Sequence, residues 1–485
     1  MKKIILCAAA LLFGTMAFAQ VSGAPDAQVV APLPGTGGHM NAGQSVQNGD
    51  NNAVRVRQAG TENSVYTEQD NGFGIGSNLA RIMQTGDVQA GISAYRNAAE
   101  VQQSGTANQS TTVQEGDLNN AYTAQGQNNT ASADNKAKIQ QGIGQQAEEN
   151  YAAIEQDGDG NNASTLQIFD NSDAWTTQEG DDNGSMIVQN AGPNGSDGHE
   201  AYSAQLGNGN EASIDQSGAG GRNNAQVRQF GDDNQSKQWQ TTNAGAGMTG
   251  NSGYVQQGSG SGLPVNPTNT AFNLIFDDIQ DNIQVIDPGA AVINGPSYGA
   301  KAKQIQYGKL NEAAVGQLGG SSDGHNYAEQ VQASGWNNDA AIIQTQVGVG
   351  SNYSKQYQAG DNNLANSWQF GNGHKSLQDQ RGHRNSALAS QAGSGNLLNQ
   401  HQRGNDNRAT SVQHGLANAA LIVQYGGNSY VSQQFGTGNQ IDVLQLGPNG
   451  DFDNAAIDCG FEDPMNLDMN YEVPGFDLDP ICPDC

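Results

Sequence analysis

The sequence predicts an all-β protein, a parallel β-solenoid of two face-to-face sheets, and three observations carry that expectation. An 11-residue unit, Gln-x-Gly-x-x-Asn-x-Φ-x-Φ-x, with Φ being Ala, Ser, Thr, Val or Ile, recurs through most of the chain. Within each unit the fixed residues alternate with variable ones, the period of a strand with one constant face. The composition also lacks an ordinary core: Leu, Ile, Val and Phe make about 17% of 485 residues, whereas Gly alone accounts for 65. Below roughly 20% a highly charged chain is normally disordered, so order here requires a core that is not oily.

The chain opens with a predicted secretory signal at 1–19. Lys2 and Lys3 precede an apolar run, and Ala17-Phe18-Ala19 supplies a small-x-small cleavage site. A mature chain starting at Gln20 and secretion to an oxidising space are the expectations. No later apolar run reaches the length of about 18 residues that crosses a membrane, so no membrane insertion is expected. Residues 20–43 are Pro/Gly-rich and read as a flexible leader.

Repeats are expected over 44–258 and 301–447. The register is set by Gln47, Gly49 and Asn52, then by Gln58, Gly60 and Asn63. It returns at Gln103, Gly105, Asn108, Gln114, Gly116 and Asn119, and at Gln156, Gly158 and Asn161. It continues through Gln205, Gly207, Asn210 and Gln216, and through Gln229, Gly231 and Asn234. The longest clean run holds Gln358, Gly360, Asn363, Gln369, Gly371, Gln391, Gly393, Asn396, Gln402, Gly404 and Asn407, with Gln residues 11 apart from Gln358 to Gln413. A disordered Gln/Asn-rich chain has no reason to keep such a register.

Each unit reads as one strand and one turn. Gly and the two residues after it suit the turn, where positive φ and close packing favour Gly. The fixed face is small or amide-bearing and the other carries Arg, Lys, Glu, Tyr and Trp, so the fixed face is assigned to the inside. Two units make a coil of about 22 residues, and stacked coils place equivalent residues about 4.7–4.8 Å apart. Each Asn or Gln can then donate to one neighbour and accept from the other. A buried amide left unpaired costs about 1–3 kcal/mol, so the ladder has to be continuous. About 34 strands, 17 coils and a rod near 80 Å follow at that spacing. The slips at Gly218–Asn223 and Gln424–Asn428 read as irregular turns.

Gln205-Leu-Gly207-Asn-Gly-Asn210-Glu-Ala212-Ser-Ile-Asp-Gln216 and Gln156-Asp-Gly158-Asp-Gly-Asn161-Asn-Ala163-Ser-Thr-Leu-Gln167 resemble the curlin repeat of bacterial curli fibre subunits. The resemblance covers most of the chain after the signal. It implies a secreted subunit that polymerises with itself end to end into extracellular amyloid-like fibres for biofilm matrix and surface adhesion. It further implies a nucleator subunit and export machinery as partners. The chain departs from the pattern in its length, its insertion and its tail.

Two segments leave the register. In 259–300, Phe272, Ile275, Phe276, Ile279 and Ile283 recur at helical spacing, among four prolines. The tail, 448–485, is acidic and holds Cys459, Cys482 and Cys485, an odd number that implies one internal disulfide plus a free or intermolecular thiol.

The formal charge of −28 argues against nucleic acid as a partner. The seven histidines are scattered without metal-ligand spacing, and the Gly-Asp turns such as Asp157 to Asn161 lack the closing Glu of a calcium loop. No nucleophile motif or phosphate loop is present. The expectation is a non-enzyme without cofactor or metal. The competing expectation to a fibre subunit is a monomeric, capped solenoid adhesin.

Overall fold

The computed structural model describes residues 41–71, 77–85, 96–127, 132–142, 147–192, 197–242, 248–259, 295–320 and 324–447. The described chain forms 32 strands in two parallel sheets. Each sheet stacks fifteen strands in chain order and carries one short strand at its side. The chain alternates between sheets. Ala42–Asn48 opens the first sheet, Ala53–Ala59 opens the second, and Ser64–Asp70 returns onto Ala42–Asn48 with Gln47 opposite Gln69. A parallel β-solenoid of two sheets is the result, with no helix among the described residues.

The 22-residue coil is seen where the repeat is strict, as in Leu364↔Ser386↔Arg408. Elsewhere the coil is longer: 34 residues separate Ser64 from Ala98, and 66 separate Gln235 from Lys301. The described residues form fifteen coils where the sequence period predicts 17, because several coils take more than 22 residues. Gln still pairs with Gln across every long coil, because register is set by the inward column and not by chain length. Pairing also resumes inside 259–300, where Ser297–Tyr298 lies against Gly231–Asp232.

The inward columns are small and buried. One column of the first sheet runs Ala99, Ala121, Ala152, Ala174, Ala201 and Ala225. Beside it, Ile139, Ile154, Ile187, Ile214 and Ile342 fill the space between the sheets. The outward face is less uniform than its polar composition implies. Tyr202, Tyr254, Ile343 and Trp368 lie outward in register yet are buried, Tyr202 edge-on to Trp175 at 5.7 Å and Trp368 stacked on Phe370 at 6.1 Å. Opposite charges alternate on the other sheet, where Glu329 lies between Lys303 and Lys355.

The turns take two positive φ angles. Gly207 sits at +124° and Gly382 at +126°, and a Cβ on either would meet the carbonyl oxygen of the next coil's Gly at 2.0 Å. The second lies just before the anchor Asn and is often not Gly: Leu118, Asp182, Asn362 and Arg384 adopt φ near +56° there. The sequence pattern located the first of these positions and not the second.

Candidate functional site

The chemistry of this molecule lies in its stacked side chains. In the first sheet, fifteen Gln residues from Gln47 to Gln434 form one unbroken ladder. Each Nε2 donates to Oε1 of the next coil at 2.7–3.0 Å. A second ladder runs from Gln58 to Gln445 at 2.8–3.1 Å. Every Gln read from the repeat lies on one of these two lines. The second Nε2 hydrogen ties the sheets together: Gln167 donates to the carbonyl of Tyr151 at 2.7 Å, and Gln402 to that of Ser386 at 3.0 Å. Both amide groups are thus satisfied inside the stack.

The anchor Asn residues form ladders of opposite sense. Asn183 donates its backbone N–H and its Nδ2 to Oδ1 of Asn161, one coil earlier, both at 3.0 Å. Nδ2 of Asn183 also donates to the carbonyl of Gly207 at 2.7 Å, tying the Asn to the Gly of the following turn. Asn63, Asn108, Asn119, Asn210, Asn234, Asn363, Asn396 and Asn407 occupy equivalent places. The Asn of one Gln-x-Gly-x-x-Asn unit is thus hydrogen-bonded to the Gly of the equivalent unit one coil later.

Two histidines belong to this line. The backbone N–H groups of Asn223 and Asn396 donate to Nδ1 of His199 and His374, each at 3.3 Å. Nε2 of His374 then donates to the carbonyl of Phe370 at 3.0 Å. A neutral imidazole so held offers one acceptor and one donor, as an Asn side chain does. Burial pushes both down to about 4, so they are neutral near pH 7. The sequence showed seven scattered histidines; only the coil register reveals that two of them replace Asn.

A third Gln ladder is visible only in the stack. In the second sheet, Gln238, Gln304, Gln330, Gln356, Gln378 and Gln400 occupy the inward column held earlier by Ile187 and Ile214. Their Nε2 atoms donate along the line at 2.7–2.9 Å. Gly253 opposite makes room for it: a Cβ there would approach Gln304 Oε1 at 3.1 Å. The signal was present as Gln-x-Gln, five times in succession from Gln304-Ile-Gln306 to Gln400-His-Gln402.

The acidic turns are occupied as turns. Asp159 accepts the backbone N–H of Ala133 at 2.8 Å, and its own N–H donates to Asp181 at 2.9 Å. Among the described residues no group of three or more His, Cys, Asp or Glu is placed to hold a metal ion. The signal, residues 20–40 of the leader, the helical spacing at 272–283 and Cys459, Cys482 and Cys485 lie outside the described residues; the last two residues assigned to the flexible leader, Ala42 and Gly43, instead belong to the first strand, paired with Ser64 and Val65.

Fold and side chains together define a class, a β-solenoid held internally by amide ladders. No protein-family model matches the chain, and no curated protein matches its sequence.

Proposed function

We propose that the protein is a secreted structural subunit that assembles with itself into curli-like extracellular fibres, serving biofilm matrix and surface adhesion. The observation that carries this reading is the state of the ladders at their ends. Gln47 and Gln58 begin them and Gln434 and Gln445 finish them, and among the described residues the terminal strands are paired on one side only. An unpaired strand edge is a template for another chain. The curlin-like repeat and the signal-like N-terminus support export and polymerisation in the same direction. On this reading the chain is not an enzyme and binds no cofactor. Its principal partner is itself, with a nucleator subunit and export machinery beside it.

The test is electron microscopy and fibre diffraction on the mature chain, Gln20 to Cys485, with and without reductant. Long fibres with reflections near 4.7 and about 10 Å are expected. Discrete rods that never elongate would overturn the proposal in favour of a capped, monomeric adhesin.

A further inference from the structure

The two ends of the stack differ, and they differ as complements. Gln side chains donate towards the last coil, so the first coil presents Oε1 acceptors on Gln47 and Gln58 and the last presents Nε2 donors on Gln434 and Gln445. Asn and hydroxyl groups donate the other way: Asn439 donates to Asn418 Oδ1 and Ser432 to Ser411 Oγ at 2.8 Å. Every donor column at one end therefore meets an acceptor column at the other.

Shape follows the same rule. In the first inward column of the first sheet, thirteen of fifteen coils hold Val, Ala or Gly253 between the terminal residues, Gly43 at the start and Tyr430 at the end. Gly253 is explained by the Gln residues that crowd it, but Gly43 is not explained within its own chain. It lies in a strand, its φ is outside the left-handed region, and an added Cβ would meet nothing nearer than 3.9 Å. Outside, exposed Arg55 and exposed Asp442 hold the same register position on the first and last strands of the second sheet.

We infer that the partner of each end is a second copy of this chain stacked head to tail, its first coil seated on the last coil of its neighbour. Tyr430 then covers Gly43, Gln434 and Gln445 donate to Gln47 and Gln58, and Asp442 faces Arg55. This rests on the fibre reading above and adds that the fibre is polar. Head-to-head contact would set acceptor amides against acceptor amides and Arg55 against Arg55. A heterologous contact of this kind propagates without closing.

The experiment follows seeded elongation of the full mature chain by thioflavin fluorescence and microscopy. Circular dichroism of the monomer confirms that each variant folds. Asp442→Arg and Arg55→Asp each place like charges at the contact and are expected to slow elongation about tenfold. The double variant restores the wild-type rate. Gly43→Val stops elongation, and Tyr430→Ala in the same chain recovers it. If wild-type fibres form and the single charge variants elongate normally, or the double variant is not rescued, the head-to-tail contact is wrong and the fibre reading stands. If the wild-type chain never assembles, the fibre reading falls first.

Discussion

Within one sheet, two stretches of the solenoid solve the same problem with opposite chemistry. Over 79–218 the central inward column is largely aliphatic, with Ile82, Ile139, Ile187 and Ile214 fully buried. Over 235–403 the same column is six Gln residues, equally buried. The column keeps its register from one stretch into the other, with Ile214 opposite Gln238. The amide stretch is held by likeness one coil away, amide on amide for hydrogen bonding, whereas the Ile stretch also admits Thr112 and Thr165, whose buried hydroxyls find no hydrogen-bond partner. The cost falls at the junctions. Gln238 Oε1, which faces the Ile214 coil, has no hydrogen-bond partner, while Gln400 at the far end turns its Nε2 to Ser411 Oγ at 3.0 Å.

That contrast breaks most sharply with a single substitution in the amide stretch. Gln356→Met orphans a donor on Gln330 and an acceptor on Gln378, an expected loss of about 4 kcal/mol in local stability by native-state hydrogen exchange. Replacing Gln330, Gln356 and Gln378 together still orphans only two groups of the ladder itself, on Gln304 and Gln400, so the triple variant should cost well under three times the single one. A triple effect near three times the single effect would refute the ladder account. The reverse experiment is Ile187→Gln, which sets a lone amide between Thr165 and Ile214 and is expected to cost about 3 kcal/mol.

The histidines sharpen the comparison by pH. His199 and His374 have native values depressed to about 4 from an ordinary 6.5. The unfolded chain therefore binds protons that the native stack refuses. The contribution of these two histidines is full above pH 6.5 and is lost as pH drops towards 4, by about 2 kcal/mol per site at pH 5. His199→Asn with His374→Asn should flatten this loss, measured as urea midpoints at pH 5 and 7.5. Smallest is a turn effect. Leu118 holds φ +56°, which an L residue adopts at a cost, so Leu118→Gly is expected to stabilise by up to about 1 kcal/mol in a thermal melt.

The two long ladders and the turn glycines were legible because a strict period leaves a strict trace: Gln358 to Gln413 every 11 residues, with Gly two residues behind. The third ladder was harder to read because Gln304 and its partners stand at a repeat position defined by Ala, Ser, Thr, Val or Ile, and Gln-x-Gln has meaning only when coils are superposed. The long coils hid the register in the same way, since Gln240 and Gln306 are 66 residues apart in the chain and 2.8 Å apart across one hydrogen bond.

By itself the sequence determined the strand period, the inward face, the turn glycines and the need for an amide core, because these are local properties repeated in every unit. The tertiary structure alone decided which residues meet across coils of unequal length. It thereby placed His199 and His374 in the Asn line, Gly253 opposite the third Gln ladder, and Gly43 and Tyr430 at matching positions on opposite ends. Contact in a solenoid is set by register between coils, and register depends on the whole stack.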